Sequence, residues 1–122
     1  MSDRMFEQLK DIGVEIDDTI ERLMGDQELY VKYLHRFIDS SDYLMLKKAV
    51  EEKDSEAAIM AVHTLKGVAL NLGLLPLSDA CMDMLMDFRM NEPEKAYAKM
   101  DSVEIEFGKL ADIISQDQQR NI

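Results

Sequence analysis

The stretch Val62-His63-Thr64-Leu65-Lys66-Gly67-Val68-Ala69-Leu70-Asn71-Leu72-Gly73 decides how the chain is read. It holds one of only two histidines, with a lysine three residues on and a glycine four residues on. Its apolar residues recur at helical spacing, and Gly73 fits the left-handed position that ends a helix. Asp54 is a plausible N-cap at the other end. On a wheel of about 100° per residue, Ala58, Ala61, Leu65, Val68, Ala69 and Leu72 gather on one side as a core face. His63 lies opposite, with Glu56, Ile59, Met60, Lys66, Gly67 and Leu70 within about 60° of it.

That second face is not an ordinary solvated one. It carries three apolar side chains, an imidazole, an ammonium and a bare glycine. A glycine inside a helix costs about 1 kcal/mol relative to alanine, and here it opens space beside the imidazole. Lys66 sets a positive charge within reach of anything negative brought to that space. Ile59, Met60 and Leu70 offer a partner an apolar patch to cover. An imidazole changes charge near neutrality, and its neutral ring nitrogen can attack a phosphoryl group while the lysine balances the arriving charge. The chain has no glycine-rich nucleotide loop, so a protein partner has to supply the phosphoryl group. The plainer alternative is an ordinary histidine, with Gly67 admitting a neighbouring helix. His35 is read in that plainer way, since it sits off its helix's apolar stripe without a glycine or lysine set around it.

The rest of the chain reads as helix built around this segment. Residues 2–12 form a short amphipathic helix through Met5, Phe6, Leu9 and Ile12, broken by Gly13. A second, from about Asp17 to Met24, carries Ile20, Leu23 and Met24. Gly25 fits a left-handed turn and Asp26 an N-cap. Tyr30, Tyr33, Leu34, Phe37 and Ile38 make the buried face of the next helix. Leu44, Leu46, Ala49 and Val50 resume the pattern after Ser40 and Ser41, so 27–53 is one bent helix or two end to end. Pro76 suits a first helical turn, which leaves Leu75, a poor residue for the task, at the cap. The following helix to about Met90 has a core stripe of Leu77, Ala80, Cys81, Met84, Leu85 and Phe88. Met82, Met86 and Met90 recur on its back, either under the N-terminal helices or open to a partner. Asn91 and Pro93 punctuate. Ala96, Met100, Val103, Phe107, Leu110 and Ile114 then form a bundle seam on one last helix. From Gln116 onward the tail is polar and expected to fray.

These helices, joined by short connections, predict a single all-α domain over 1–122: an antiparallel four-helix bundle at about 27–116, flanked by short N-terminal helices at about 2–24. The 122 residues suffice for one core. A net charge of −11 without a basic stripe argues against nucleic acid and acidic membrane surfaces. The single cysteine, Cys81, can make no internal disulfide and lacks the partners of a zinc site. A metal-carboxylate bundle would need Glu-x-x-His pairs, but Met60 and Lys32 stand three residues before His63 and His35, so no metal is expected. With no signal peptide and no bilayer-length apolar run, the cytoplasm is the default location.

The segment from His63 to Gly73 resembles the signature of histidine-containing phosphotransfer (Hpt) domains, His-x-Leu-Lys-Gly followed by small and apolar residues and a glycine. His63, Leu65, Lys66, Gly67, Ala69, Leu72 and Gly73 stand in matching places, and the Asn71-Leu72-Gly73 ending is also similar. Val62 and Val68 depart from the small residues common there, both away from the histidine face. The family often adds a polar residue from the next helix to hold the histidine, and the candidates here are mostly Met and Asp. The resemblance implies a phosphocarrier of a two-component relay rather than an enzyme with its own ATP site. A receiver domain, carrying an aspartyl phosphate beside Mg²⁺, docks on Glu56, Ile59, Met60, Leu70 and Asn71 and passes the phosphoryl group to His63 at Nε2. A second receiver then takes it. The partners implied are receiver domains of response regulators or hybrid kinases; this chain needs no cofactor of its own and is expected to be a monomer. Its start at Met1 and polar end favour a free-standing carrier. The alternative is a helical adaptor that binds receivers or kinases on the same face without taking up phosphate.

Overall fold

The structure is a computed structural model that describes residues 2–120. Among the described residues there is no strand, and eight helical segments run in order: α1 Asp3–Asp11, α2 Ile16–Arg22, α3 Gln27–Asp39, α4 Asp42–Glu51, α5 Ser55–Asn71, α6 Leu75–Arg89, α7 Pro93–Ala98 and α8 Met100–Arg120. Paired ends give the topology. Tyr30 at the start of α3 meets Leu72 at the end of α5, Lys53 after α4 meets Glu94 in α7, and Lys99 before α8 meets Asp87 in α6. Each of α3–α4, α5, α6 and α7–α8 therefore runs against its neighbours, an up-down-up-down bundle. The N-terminal α1 packs on α8, and α2 lies between α1 and α3.

The sequence dictates most of the ends. Asp26 and Asp54 accept from the backbone N–H groups of Leu29 and Ala57 at 3.0 and 3.1 Å, satisfying donors that a helix start leaves orphaned. At the end of α5, the Gly73 N–H donates to the Leu70 carbonyl and the Leu74 N–H to the Ala69 carbonyl, with Gly73 at φ +74. This paired closure needs the left-handed conformation that glycine adopts without a Cβ penalty. Leu65 and Ala69 of α5 and Leu77 and Cys81 of α6 are buried, and the two helices pack on each other. The small alanines of α5 let its neighbours approach closely.

The structure decides one open sequence expectation, at Ser40, and corrects others. The break at Ser40 is complete: its backbone is extended, at φ −75 and ψ 161, so α3 and α4 are separate helices. The break resets the helical phase, and Tyr43, Leu46 and Ala49 are buried while Leu44 is 63% exposed. Tyr43 instead stacks on Phe107 with ring centroids 4.1 Å apart. Met24 lies not on the apolar face of α2 but in a left-handed turn after it, 95% exposed; Ile16 and Thr19 are the buried residues there. The cap before α6 is Leu74, not Leu75, and it has no side-chain acceptor. Its place follows from packing: Leu74 is fully buried and belongs both to the closure of α5 and to the start of α6. The last helix is divided at Lys99 into α7 and α8.

The polar tail is helical through Arg120 rather than frayed. Asp117, fully buried, pairs through Oδ2 with His35 Nε2 at 2.7 Å, and Gln118 donates to the His35 carbonyl and to Asp39. His35 thus has a structural task, holding the end of α8 against α3.

Two contacts lock the end of α5 from outside. The Tyr30 hydroxyl donates to the Leu72 carbonyl at 2.7 Å, and burial pushes this phenol's pKa well above the usual range, so it stays a donor. The Glu15 N–H donates to the Gly73 carbonyl at 2.9 Å, tying α2 to the same turn. Tyr30→Phe removes the donor from a buried carbonyl and is expected to cost about 1–2 kcal/mol in urea unfolding, with the slope of the transition unchanged.

Candidate functional site

The seventeen residues of α5 place their side chains much as the wheel predicts. Ala58, Val62, Leu65 and Ala69 are buried, with Ala61 and Val68 partly so. His63 is exposed one turn above Gly67 and beside Lys66, both half-buried. Glu56, Ile59, Met60 and Leu70 are exposed around it, the last three by 39, 68 and 50%. Ile59, Met60 and Leu70 are thus large apolar side chains that the core does not use, on one face of a single helix.

Neither His63 nor Lys66 has a hydrogen bond or ion pair to another side chain among the described residues. The imidazole is therefore not committed to the fold, and the ammonium is not neutralised by any of the acidic side chains that dominate the surface. Burial pushes the Cys81 thiol up to about 12, and the Lys66 charge partly offsets that rise. At that pKa Cys81 is an inert, protonated core residue.

Gly67 separates the two explanations for a glycine at this place. A Cβ built on it meets nothing within 4 Å. It does not admit a neighbouring helix; it leaves open space next to the imidazole. Replacing it by alanine is expected to stabilise the free protein by about 0.5–1 kcal/mol through helix propensity. The added methyl group stands on the approach to His63, where a displacement of about 1 Å can cost a hundredfold in rate, so phosphoryl uptake is expected to fall tenfold or more. Gly108 in α8 is the control. Its Cβ also meets nothing, so Gly108→Ala is expected to give a similar stability gain with unchanged uptake. Urea unfolding and a transfer assay on the three proteins read both effects.

Not every predicted site residue joins this cluster. Asn71 is exposed, but it lies toward α3, where it borders a cleft of about 370 Å³ with Tyr33, Phe37 and Val68. Its carbonyl accepts from Arg22 of α2 at 3.3 Å. No side chain of α6 hydrogen-bonds His63 among the described residues. The methionines of α6 are uncovered, Met82, Met86 and Met90 being 37, 48 and 68% exposed. The N-terminal helices pack on α8 and α3 instead. Sequence reasoning missed the acidic border of the site. Glu15, Asp18 and Glu21, together with Arg22, line a cleft of about 640 Å³ that reaches Leu70 and Leu75. Within it, a hydrogen bond with Asp18 raises the pKa of Glu15 above the usual carboxylate value. The clustered acids of α2 were visible in sequence, but their place beside Leu70 depends on the Glu15–Gly73 bond.

No helix among the described residues is long and apolar enough to cross a membrane. The family model for the Hpt domain matches residues 5–119. The fold is similar to the crystal structure of histidine-containing phosphotransfer protein B (HptB) from Pseudomonas aeruginosa PAO1, with a TM-score of 0.74 and 25% sequence identity, covering 88% of this chain and 96% of that one. No curated protein sequence matches the chain.

Proposed function

Because the chain belongs to the Hpt domain family of phosphorelay carriers, we propose that His63 is the phosphoryl-carrying residue, loaded by one receiver domain and unloaded by another. The observation that carries this reading is the exposed, uncommitted imidazole of His63 beside the open space at Gly67.

The Nε2 lone pair of the neutral ring attacks phosphorus in the receiver's aspartyl phosphate. The N–P bond forms as the P–O bond to the aspartate breaks, and that electron pair leaves on the carboxylate. Nδ1 keeps its proton, so the phosphorylated ring needs no base at the moment of transfer. The Lys66 ammonium balances the negative charge brought to the face. Transfer to the second receiver is the same displacement in reverse, with its aspartate as nucleophile. In this reading Mg²⁺ and the groups that polarise the phosphoryl oxygens belong to the receiver. This chain contributes nucleophile, charge and a docking face of Glu56, Ile59, Met60 and Leu70. The cytoplasm is where such partners would be met.

The test is to mix the protein with a purified receiver domain phosphorylated in the presence of Mg²⁺ and follow the label. An acid-labile, base-stable label on this chain, chased off by a second receiver, is expected for a phosphoimidazole. An absence of label with every receiver that binds the protein would leave it an adaptor.

A further inference from the structure

The methionines around His63 share one surface, and helix geometry shows which side each occupies. On α6, Asp87 points to the junction of α7 and α8, where it pairs with Lys99. Met82 is about 140° from Asp87 around the helix, so it projects on the opposite flank, toward α5, with Met86 outward of it. On α5, Lys66 lies about 120° around the helix from Met60, on the flank away from α4. The opposite flank, with Met60 and Thr64, borders α4 across a cleft of about 230 Å³ that Met45 also lines. Met45 and Met60, 59 and 68% exposed, therefore lie on one side of His63, and Met82 and Met86 on the other.

We infer that these four methionines form a flexible docking pad on both sides of His63, that a receiver domain occupies it, and that it fits receivers of differently shaped docking surfaces. The inference rests on the carrier reading above. Three considerations favour that occupant. A specific interface buries about 800 Å² on each partner, a disc of roughly 16 Å radius, while packed helices lie about 8–10 Å apart. A domain that brings an aspartate to His63 therefore covers α4 and α6 as well. A second copy of this chain is disfavoured, since it would bring another net charge of −11 to the same surface. Finally, methionine is unbranched and polarizable, and surfaces rich in it repack for different partners where branched side chains would hold one shape. A carrier that must meet both a donor and an acceptor on one face has use for that property.

The experiment measures the Kd of two unphosphorylated receiver domains, differing in the sequence of their docking surfaces, for the wild-type protein, M82A/M86A and M82V/M86V, by calorimetry. Circular dichroism checks that each variant folds, which the exposure of both side chains favours. The alanine pair is expected to weaken both receivers fivefold or more. The valine pair, stiff at χ1, is expected to change the ratio of the two affinities fivefold or more. Smaller changes in either measurement overturn the pad. So does sedimentation of the wild type as a dimer that M82A/M86A converts to monomer, which would make a second copy the occupant. Because Kd is read without phosphate, the pad and the carrier reading fail separately. Receivers that bind through the pad but never label His63 would sink only the latter.

Discussion

His63→Gln is expected to abolish phosphoryl uptake from a phosphorylated receiver, a loss of at least about a thousandfold, while leaving the fold unchanged. The two halves of that result have separate causes. An amide nitrogen is not a nucleophile, so no neighbouring group can restore the N–P bond. The imidazole, meanwhile, is exposed and makes no side-chain hydrogen bond among the described residues, so its loss removes nothing the bundle uses. Stability should stay within about 0.5 kcal/mol of the wild type. A glutamine variant that unfolds would mean that His63 is structural. Urea unfolding and the transfer assay, run on one preparation, separate these outcomes. Receiver binding should persist in the variant, because Ile59, Met60 and Leu70 are untouched.

Gly73→Ala is expected to do the reverse, costing about 3 kcal/mol of stability with a fall in Tm of roughly 10 °C. Two independent penalties add. The backbone sits at φ +74, a conformation that costs a residue with a Cβ about 1–3 kcal/mol. A Cβ there would also lie 2.6 Å from the Glu15 carbonyl oxygen and run into Thr19 Oγ1. Neither neighbour can easily yield. Thr19 is buried and donates to that same Glu15 carbonyl at 2.6 Å, and the Glu15 N–H is bonded to Gly73 itself. Relief therefore requires α2 to move off the end of α5. Gly73→Asn distinguishes the two penalties. Asparagine tolerates left-handed backbone but keeps the Cβ, so it should recover only part of the loss. Full recovery would show that crowding by α2 contributes nothing. Transfer by the folded fraction should change little, since Gly73 lies more than two turns beyond His63.

How far the chain could be read without coordinates follows from which interactions are local. The face of α5 was legible because helical periodicity alone assigns His63, Lys66 and Gly67 to one side and Leu65 and Ala69 to the other. The Asp26 and Asp54 caps and the stop at Gly73 were legible for the same reason: each acts within four residues of itself. What escaped depended on contacts distant in sequence. The burial of Asp117 needs His35, 82 residues away, and without that pair the end of α8 reads as a frayed polar tail. The cap position of Leu74 is set by its burial between α5 and α6, not by side-chain chemistry. Ser40 looked like either a bend or a break, and its extended backbone decides for a break. The exposure of Leu44 follows from the helical phase that restarts there. In the site, the sequence leaves Gly67 open between room for a partner and room for a helix, and only the empty volume around its missing Cβ separates the two. The acidic residues of α2 became neighbours of Leu70 only once the backbone bond between Glu15 and Gly73 was visible.

The most direct test of the account is to locate the phosphoryl group on the protein. Phosphorus–proton correlation NMR, recorded after loading by a phosphorylated receiver with Mg²⁺, should show one phosphoryl group coupled to the ring protons of a single imidazole, at Nε2 of His63, and no such signal from His63→Gln. A phosphoryl group on His35, on a carboxylate, or on the His63→Gln variant would contradict it.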